Sequence, residues 1–178
     1  MNNGTVTQQP FGRYGMAIEL RPAGPVDQQF LFRVYASTRA DEMALVDWSD
    51  PQKEAFLRMQ FDAQHRFYVE NYPGARFQII QLGDDLVGRL YIHRTEADIR
   101  IMDISLLPQF RNRGIGSALL SQILDTAQNN NLTVTIHVEQ FNPARRLYER
   151  LGFSFVEANG IYHLMEWKPA GKLSPQHA

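Results

Sequence analysis

The 178-residue chain contains no cysteine, no excess of charge of either sign, and no apolar run approaching the roughly 18 residues that a membrane span needs. Without cysteine there are no disulfides, thiolate nucleophiles, cysteine-ligated zinc sites or iron–sulfur clusters, so any chemistry must come from oxygen, imidazole or backbone groups. Lys and Arg number 18 against 19 Asp and Glu, for a net charge of −1, which disfavours the broad basic face of a nucleic-acid binder. Residues 1–15 show no basic start followed by an apolar stretch, so a cytoplasmic protein with no membrane contact is expected. A Gly-x-x-x-x-Gly-Lys-Ser/Thr motif is missing, and so is the third glycine of the dinucleotide fingerprint.

What is present suits one ordinary domain: hydrophobic residues make up 44% of the chain and aromatic residues 11%, at a length that buries a core without staples. The polar ends, 1–15 and 169–178, read as flexible tails around a domain at 16–168. Strand patterns fall at 16–21, 76–82, 86–94, 99–107, 132–138, 153–156 and 161–167. Helical spacing marks 27–39, then 50–71 with Ser49 and Asp50 as cap oxygens, Pro51 in the opening turn, and Phe56, Met59, Ala63 and Phe67 on one face. It recurs at 114–129, with Ile115, Leu119, Ile123 and Ala127 on one stripe, and at 143–151, stopped by Gly152. Hairpin turns are expected at Gly83-Asp84-Asp85 and Asn159-Gly160. The order β-α-α-β-β-β-α-β-α-β-β implies an α/β fold of α+β type, with a mixed, mostly antiparallel sheet of about seven strands and helices on both faces. The unit 99–138 should be a right-handed parallel crossover.

The segment Pro108-Gln109-Phe110-Arg111-Asn112-Arg113-Gly114-Ile115-Gly116-Ser117 joins a strand to a helix. Glycines at 114 and 116 let an anion approach the main chain, and a helix N-terminus adds unpaired N–H donors and a positive dipole end. Arg111 and Arg113 add positive charge, so the segment suits a phosphate or pyrophosphate. A tight turn with two solvated arginines is the competing reading. Further on, Asn142 before Pro143 looks like an N-cap, and Tyr148 falls on the same side of the short helix as Ala144 and Arg145.

Together, Asp103-Ile104-Ser105-Leu106-Leu107-Pro108, the loop Arg111-Asn112-Arg113-Gly114-Ile115-Gly116, and Asn142 followed by Leu147-Tyr148-Glu149-Arg150-Leu151-Gly152-Phe153 resemble the GNAT superfamily of N-acetyltransferases. The diagnostic likeness covers 99–155, and the element order extends it over 16–168. It implies acetyl-CoA as co-substrate, no metal, and an amine acceptor on a small molecule, peptide or protein. It also implies a pyrophosphate held by Arg111, Asn112, Arg113, Gly114, Ile115, Gly116 and Ser117, chiefly through backbone N–H groups, and a pantetheine arm paired with Leu106 and Leu107. Asn142 resembles the asparagine that contacts the cofactor arm, although it precedes Tyr148 by six residues where many relatives have seven. Tyr148 matches the tyrosine that protonates the departing thiolate. Relatives often form homodimers, which this sequence leaves open.

For the general base the resemblance points to His137, placed where some relatives carry a glutamate, with a satisfied structural histidine as the equal reading, and Asp103 is the alternative base that the strand pattern offers. Alternation sets Thr135, His137 and Glu139 on one sheet face. Asp103 lies inside an apolar strand, and pairing with Arg89 or Arg94 is an equal reading of it. By the same likeness the acceptor borders the segment 39–50, with Glu42, Asp47 and Trp48 as substrate-binding candidates. A domain of this fold that binds acyl-CoA without turnover, as a sensor or interaction module, is the alternative to an enzyme.

Overall fold

A computed structural model describes residues 10–11 and 16–171. Most of both expected tails, residues 1–9, 12–15 and 172–178, lies outside the described residues. The elements run β1 (Pro10–Phe11), β2 (Met16–Pro22), α1 (Gln28–Thr38), α2 (Ala40–Ala44), α3 (Asp50–Asn71), β3 (Arg76–Leu82), β4 (Asp85–Arg94) and β5 (Asp98–Leu106). After these come α4 (Ile115–Asn129), β6 (Thr133–Glu139), α5 (Arg145–Arg150), β7 (Ser154–Asn159) and β8 (Tyr162–Trp167). This is the expected order with two short additions, β1 and α2. The strand β1 falls within the segment read from sequence as a tail, where Pro10 and Phe11 pair with Ala17 and Met16. Among the described residues, no helix is long and apolar enough to cross a membrane.

The chain divides into two compact units: residues through Tyr91 with Asp103–Ile115, and Ile92–Met102 with the residues from Gly116 onward. Strands β4 and β5 contribute to both. In the first unit the strand order is β1-β2-β3-β4-β5, and β2 runs antiparallel to β3 from Ile18↔Leu82 to Pro22↔Gln78. Its core combines Phe30, Leu31, Phe32, Val34 and Tyr35 of α1 with Leu57 and Phe61 of α3 and with Ile79, Ile80, Val87 and Leu90 of the strands. The Phe61 ring meets Phe32 edge-on at 5.9 Å and Tyr35 at 5.7 Å. Each such side chain contributes about 1.5–3 kcal/mol of burial.

The helix α3 begins as expected, with Ser49 at its N-cap and the Ser49 N–H donating to Gln52 Oε1 at 2.9 Å. Its buried face is a correction. Leu57 and Phe61 point inward, whereas Met59 and Phe67 are 61% and 53% exposed. Apolar residues occur all round this helix, so spacing alone does not select the stripe that meets the sheet.

In the second unit the order is β4-β5-β6-β8-β7. Here β6 runs parallel to β5 from Asp98↔Thr133 to Ile101↔Ile136, and antiparallel to β8 from Val134↔Trp167 to Glu139↔Tyr162. Asp98 fixes the parallel register by accepting from the Thr133 and Thr135 hydroxyls, each at 3.1 Å. Leu119, Ile123 and Ala127 of the expected α4 stripe are buried, and Leu120 and Leu124 beside them widen the buried face. The last hairpin turns at Gly160-Ile161, one residue later than expected, because Asn159 stays in β7 opposite Tyr162.

Candidate functional site

Of the expected site residues, Asp103, Leu106, Leu107 and those from Arg111 to Ile115 belong to the first unit. Gly116, Ser117, His137, Asn142 and Tyr148 belong to the second.

The end of β5 is held closely. The Leu107 N–H donates to Val87 O at 2.9 Å. A Cβ on Gly88 would overlap the Ser105 carbonyl oxygen and come within 3.1 Å of Leu106 Cα, so only glycine lets β4 and β5 approach this far. Past a turn at Pro108–Phe110, Asn112 (φ 57°) and Gly114 (φ 84°) take left-handed backbone angles that curl the chain into α4. Asparagine tolerates this region better than most residues, and glycine has no penalty there. The first-turn N–H groups of α4 have no intrahelical acceptor and lie at the positive end of the helix dipole. Arg113 is exposed, with its guanidinium 5.7 Å from the Phe110 ring centroid. This donor set fits a pyrophosphate. The Arg111 side chain turns the other way, donating to Leu106 O at 2.9 Å and Ser37 O at 3.2 Å.

Asp103 is committed to an ion pair. Its Oδ2 accepts from Arg89 Nη2 at 2.7 Å, and its Oδ1 accepts from Ser105 Oγ at 2.7 Å and Arg89 Nε at 3.3 Å. Arg89, only 1% exposed, also donates to Gln64 Oε1 at 3.1 Å. Burial opposes the Arg89 charge, but the Asp103 carboxylate together with the Tyr91 and Tyr68 hydroxyls raises the pKa on balance. This pairing explains how a carboxylate sits in an apolar strand, and it is the structural reading that the sequence left open.

His137 lies on the expected half-buried face, between buried Ile136 and Val138. Its Nδ1 sits 2.8 Å from Arg100 Nη2. A guanidinium only donates, so Nδ1 accepts, and a neutral ring then carries its proton on Nε2. Burial first, and the Arg100 charge second, lower the imidazole pKa.

Asn142 Oδ1 accepts the Ala144 N–H at 2.9 Å, and α5 begins only at Arg145, two residues later than expected, because this side-chain turn occupies the first positions. Tyr148 is 4% exposed, and its ring meets Phe153 edge-on at 5.7 Å.

The acceptor candidates are dispersed. Glu42 pairs with Arg39 at 3.0 Å, Asp47 is exposed, and Trp48 stacks edge-on with Phe56 at 5.3 Å. None of them lines the groove of about 950 Å³ in the first unit, which is walled by Phe30, Phe32, Leu57, Leu107 and Phe110 and carries Asp50, Asp84 and Asp85. Sequence reading assigned Asp84 and Asp85 only to a hairpin turn. Their signal was weak, since Gly-Asp-Asp is common turn chemistry.

Residues 39–153 match the acetyltransferase (GNAT) family. The chain is 26% identical over 106 residues to the [ribosomal protein bS18]-alanine N-acetyltransferase of Haemophilus influenzae, covering 58% of this chain and 70% of that protein. It is 28% identical over 104 residues to an uncharacterized N-acetyltransferase of Staphylococcus aureus, spanning 57% of this chain and 66% of that relative. Its fold is similar to the PaiA N-acetyltransferase of Thermoplasma acidophilum, solved in complex with coenzyme A, with a TM-score of 0.66 and 18% identity over 86% of this chain and 99% of that one. An acetyltransferase structure from Thermus thermophilus is also similar, with a TM-score of 0.62 and 23% identity over 85% and 96% of the two chains.

Proposed function

Since the chain belongs to the GNAT family of acetyltransferases, we propose that it transfers acetyl from acetyl-CoA to an amine by direct attack in a ternary complex. The supporting observation is the loop in which Asn112 and Gly114 take left-handed angles before the α4 N-terminus. Its N–H groups and Arg113 would hold the pyrophosphate, and the backbone of Leu106 and Leu107 would pair with the pantetheine arm. Asn142 would reach the same arm.

In this reading the amine nitrogen bonds to the thioester carbonyl carbon, the C–S bond breaks, and Tyr148 gives its hydroxyl proton to the departing thiolate. A phenol O–H can donate a proton, which suits that role. As general base, His137 would have to shed Arg100, and Asp103 would have to shed Arg89 and Ser105. The amine proton is therefore assigned to solvent water, and solvent returns a proton to the Tyr148 phenolate.

Titration calorimetry with acetyl-CoA, followed by thiol release across an amine panel that includes a peptide with N-terminal alanine, tests the reading. Binding with amine-dependent release is expected, and no acetyl-CoA binding overturns it. The commitment of both base candidates favours, as a second reading, an acyl-CoA-binding module. Binding without release across the panel would select that module.

A further inference from the structure

Arg111 lies in the loop assigned to an anion, yet its guanidinium is turned into its own unit. Nε donates to Leu106 O at 2.9 Å, and Nη2 donates to Ser37 O at 3.2 Å and Ser37 Oγ at 3.3 Å. Ser37 Oγ in turn donates to Val34 O at 2.7 Å. Leu106 is the last residue of β5, and Ser37 is the next-to-last of α1. The carbonyls of a helix's last turn lack intrahelical partners and carry the negative end of its dipole, so a cation there is favourable. One side chain, 74 residues from Ser37 in sequence, thus satisfies both a strand end and a helix end. The rigid five-donor fork of arginine suits this bridge, and the single ammonium of lysine does not.

We infer that Arg111 is a positioning residue: its guanidinium braces the carbonyl end of β5 against the last turn of α1, and the phosphate-facing charge of the loop falls to Arg113. To reach a phosphate, Arg111 would have to break all three bonds. The brace still leaves Leu106 O its second lone pair for the cofactor arm. Its effect on ligands rests on the acetyl-CoA reading, whereas the brace itself does not.

Two measurements test it. In the ligand-free protein, hydrogen exchange should be about tenfold faster in Arg111→Met than in wild type at the last α1 turn and at 106–111, and unchanged in Arg113→Met. By calorimetry, Arg111→Met should weaken acetyl-CoA and S-acetylpantetheine, which has the same thioester arm without the phosphates, by one common factor of about five to ten. Arg113→Met should weaken acetyl-CoA alone. Wild-type exchange in Arg111→Met overturns the inference, as does a loss confined to acetyl-CoA or a loss for neither ligand. If Arg111→Met does not fold, Arg111→Lys decides. As a brace variant it exchanges fast and weakens both thioesters, whereas wild-type behaviour in both measurements overturns the brace. Should wild type bind neither thioester, the acetyl-CoA reading fails while the exchange comparison still decides the brace.

Discussion

The Phe153 N–H donates to Tyr148 O at 3.0 Å, and the two rings pack edge-on at 5.7 Å. With the Gly152 N–H on Glu149 O at 3.0 Å and Gly152 at φ 93°, this is a Schellman ending whose apolar contact is the Tyr148–Phe153 pair. The turn that stops α5 therefore also orients the tyrosine assigned as acid. Tyr148→Phe keeps the ring contact, so thermal stability and acetyl-CoA affinity should stay near wild type while turnover falls about 10²-fold or more. Steady-state thiol release measures this, and undiminished turnover removes the acid assignment.

The glycines separate cleanly. Among the described residues, a Cβ on Gly116 comes within 4 Å of Leu147 Cδ2 alone, at 3.9 Å, so Gly116→Ala should fold normally, whereas a bulky Gly116→Leu should lose coenzyme A affinity through crowding at the loop. A Cβ on Gly88 meets backbone of β5, so Gly88→Ala should lose about 1–3 kcal/mol of stability as well. Denaturant titration beside calorimetry distinguishes the two. Undiminished coenzyme A affinity in Gly116→Leu would argue against a pyrophosphate at this loop.

Removing Asp103 leaves the Arg89 cation buried without its partner. Asp103→Ala should therefore destabilise by about 3–5 kcal/mol, whereas Arg89→Met with Asp103→Asn together should recover part of that loss. Urea unfolding of the single and double variants checks this. A single-variant loss below about 1 kcal/mol would show that the pair is not the structural tie described above.

Asp27 accepts two hydrogen bonds from Arg21, at 2.7 and 2.8 Å, and one from the Gly24 N–H at 2.8 Å. The Arg21 bonds chiefly, opposed by burial, hold its pKa at about 2 against an ordinary 3.8. A carboxylate with a depressed folded pKa adds stability that is full above the unfolded value and is lost as pH falls through the folded one. The advantage of wild type over Asp27→Asn should be about 1 kcal/mol at pH 5–7, discounted because Arg21 is partly exposed. It should shrink between pH 4 and 2, as pH-dependent unfolding will show.

His137 has the opposite charge change and the same direction of loss. Burial, then Arg100, lower its folded pKa below the ordinary 6.5, so the unfolded chain binds the extra proton and stability falls as pH drops below 6.5. An NMR titration of the imidazole should give a midpoint below 6.5. Arg100→Gln should move that midpoint upward, and an unmoved midpoint would show that the charge has no influence.

Local signals determined a large part of this protein before any tertiary contact was known. Periodicity selected a buried stripe of α4, because Ile115, Leu119, Ile123 and Ala127 recur at helical spacing, and strand alternation placed His137 beside buried Ile136 and Val138. The loop from Arg111 to Gly116 and the Leu151-Gly152-Phe153 stop were legible because glycine chemistry acts over a few residues. Only the tertiary structure decided the rest. It turned α3 onto Leu57 and Phe61, gave Asp103 its partner from β4, and brought Asp84 and Asp85 to the groove. It also aimed Arg111 at Ser37 rather than outward. Each of these depends on segments distant in sequence meeting in space, and neither spacing nor composition encodes which donor finds which acceptor.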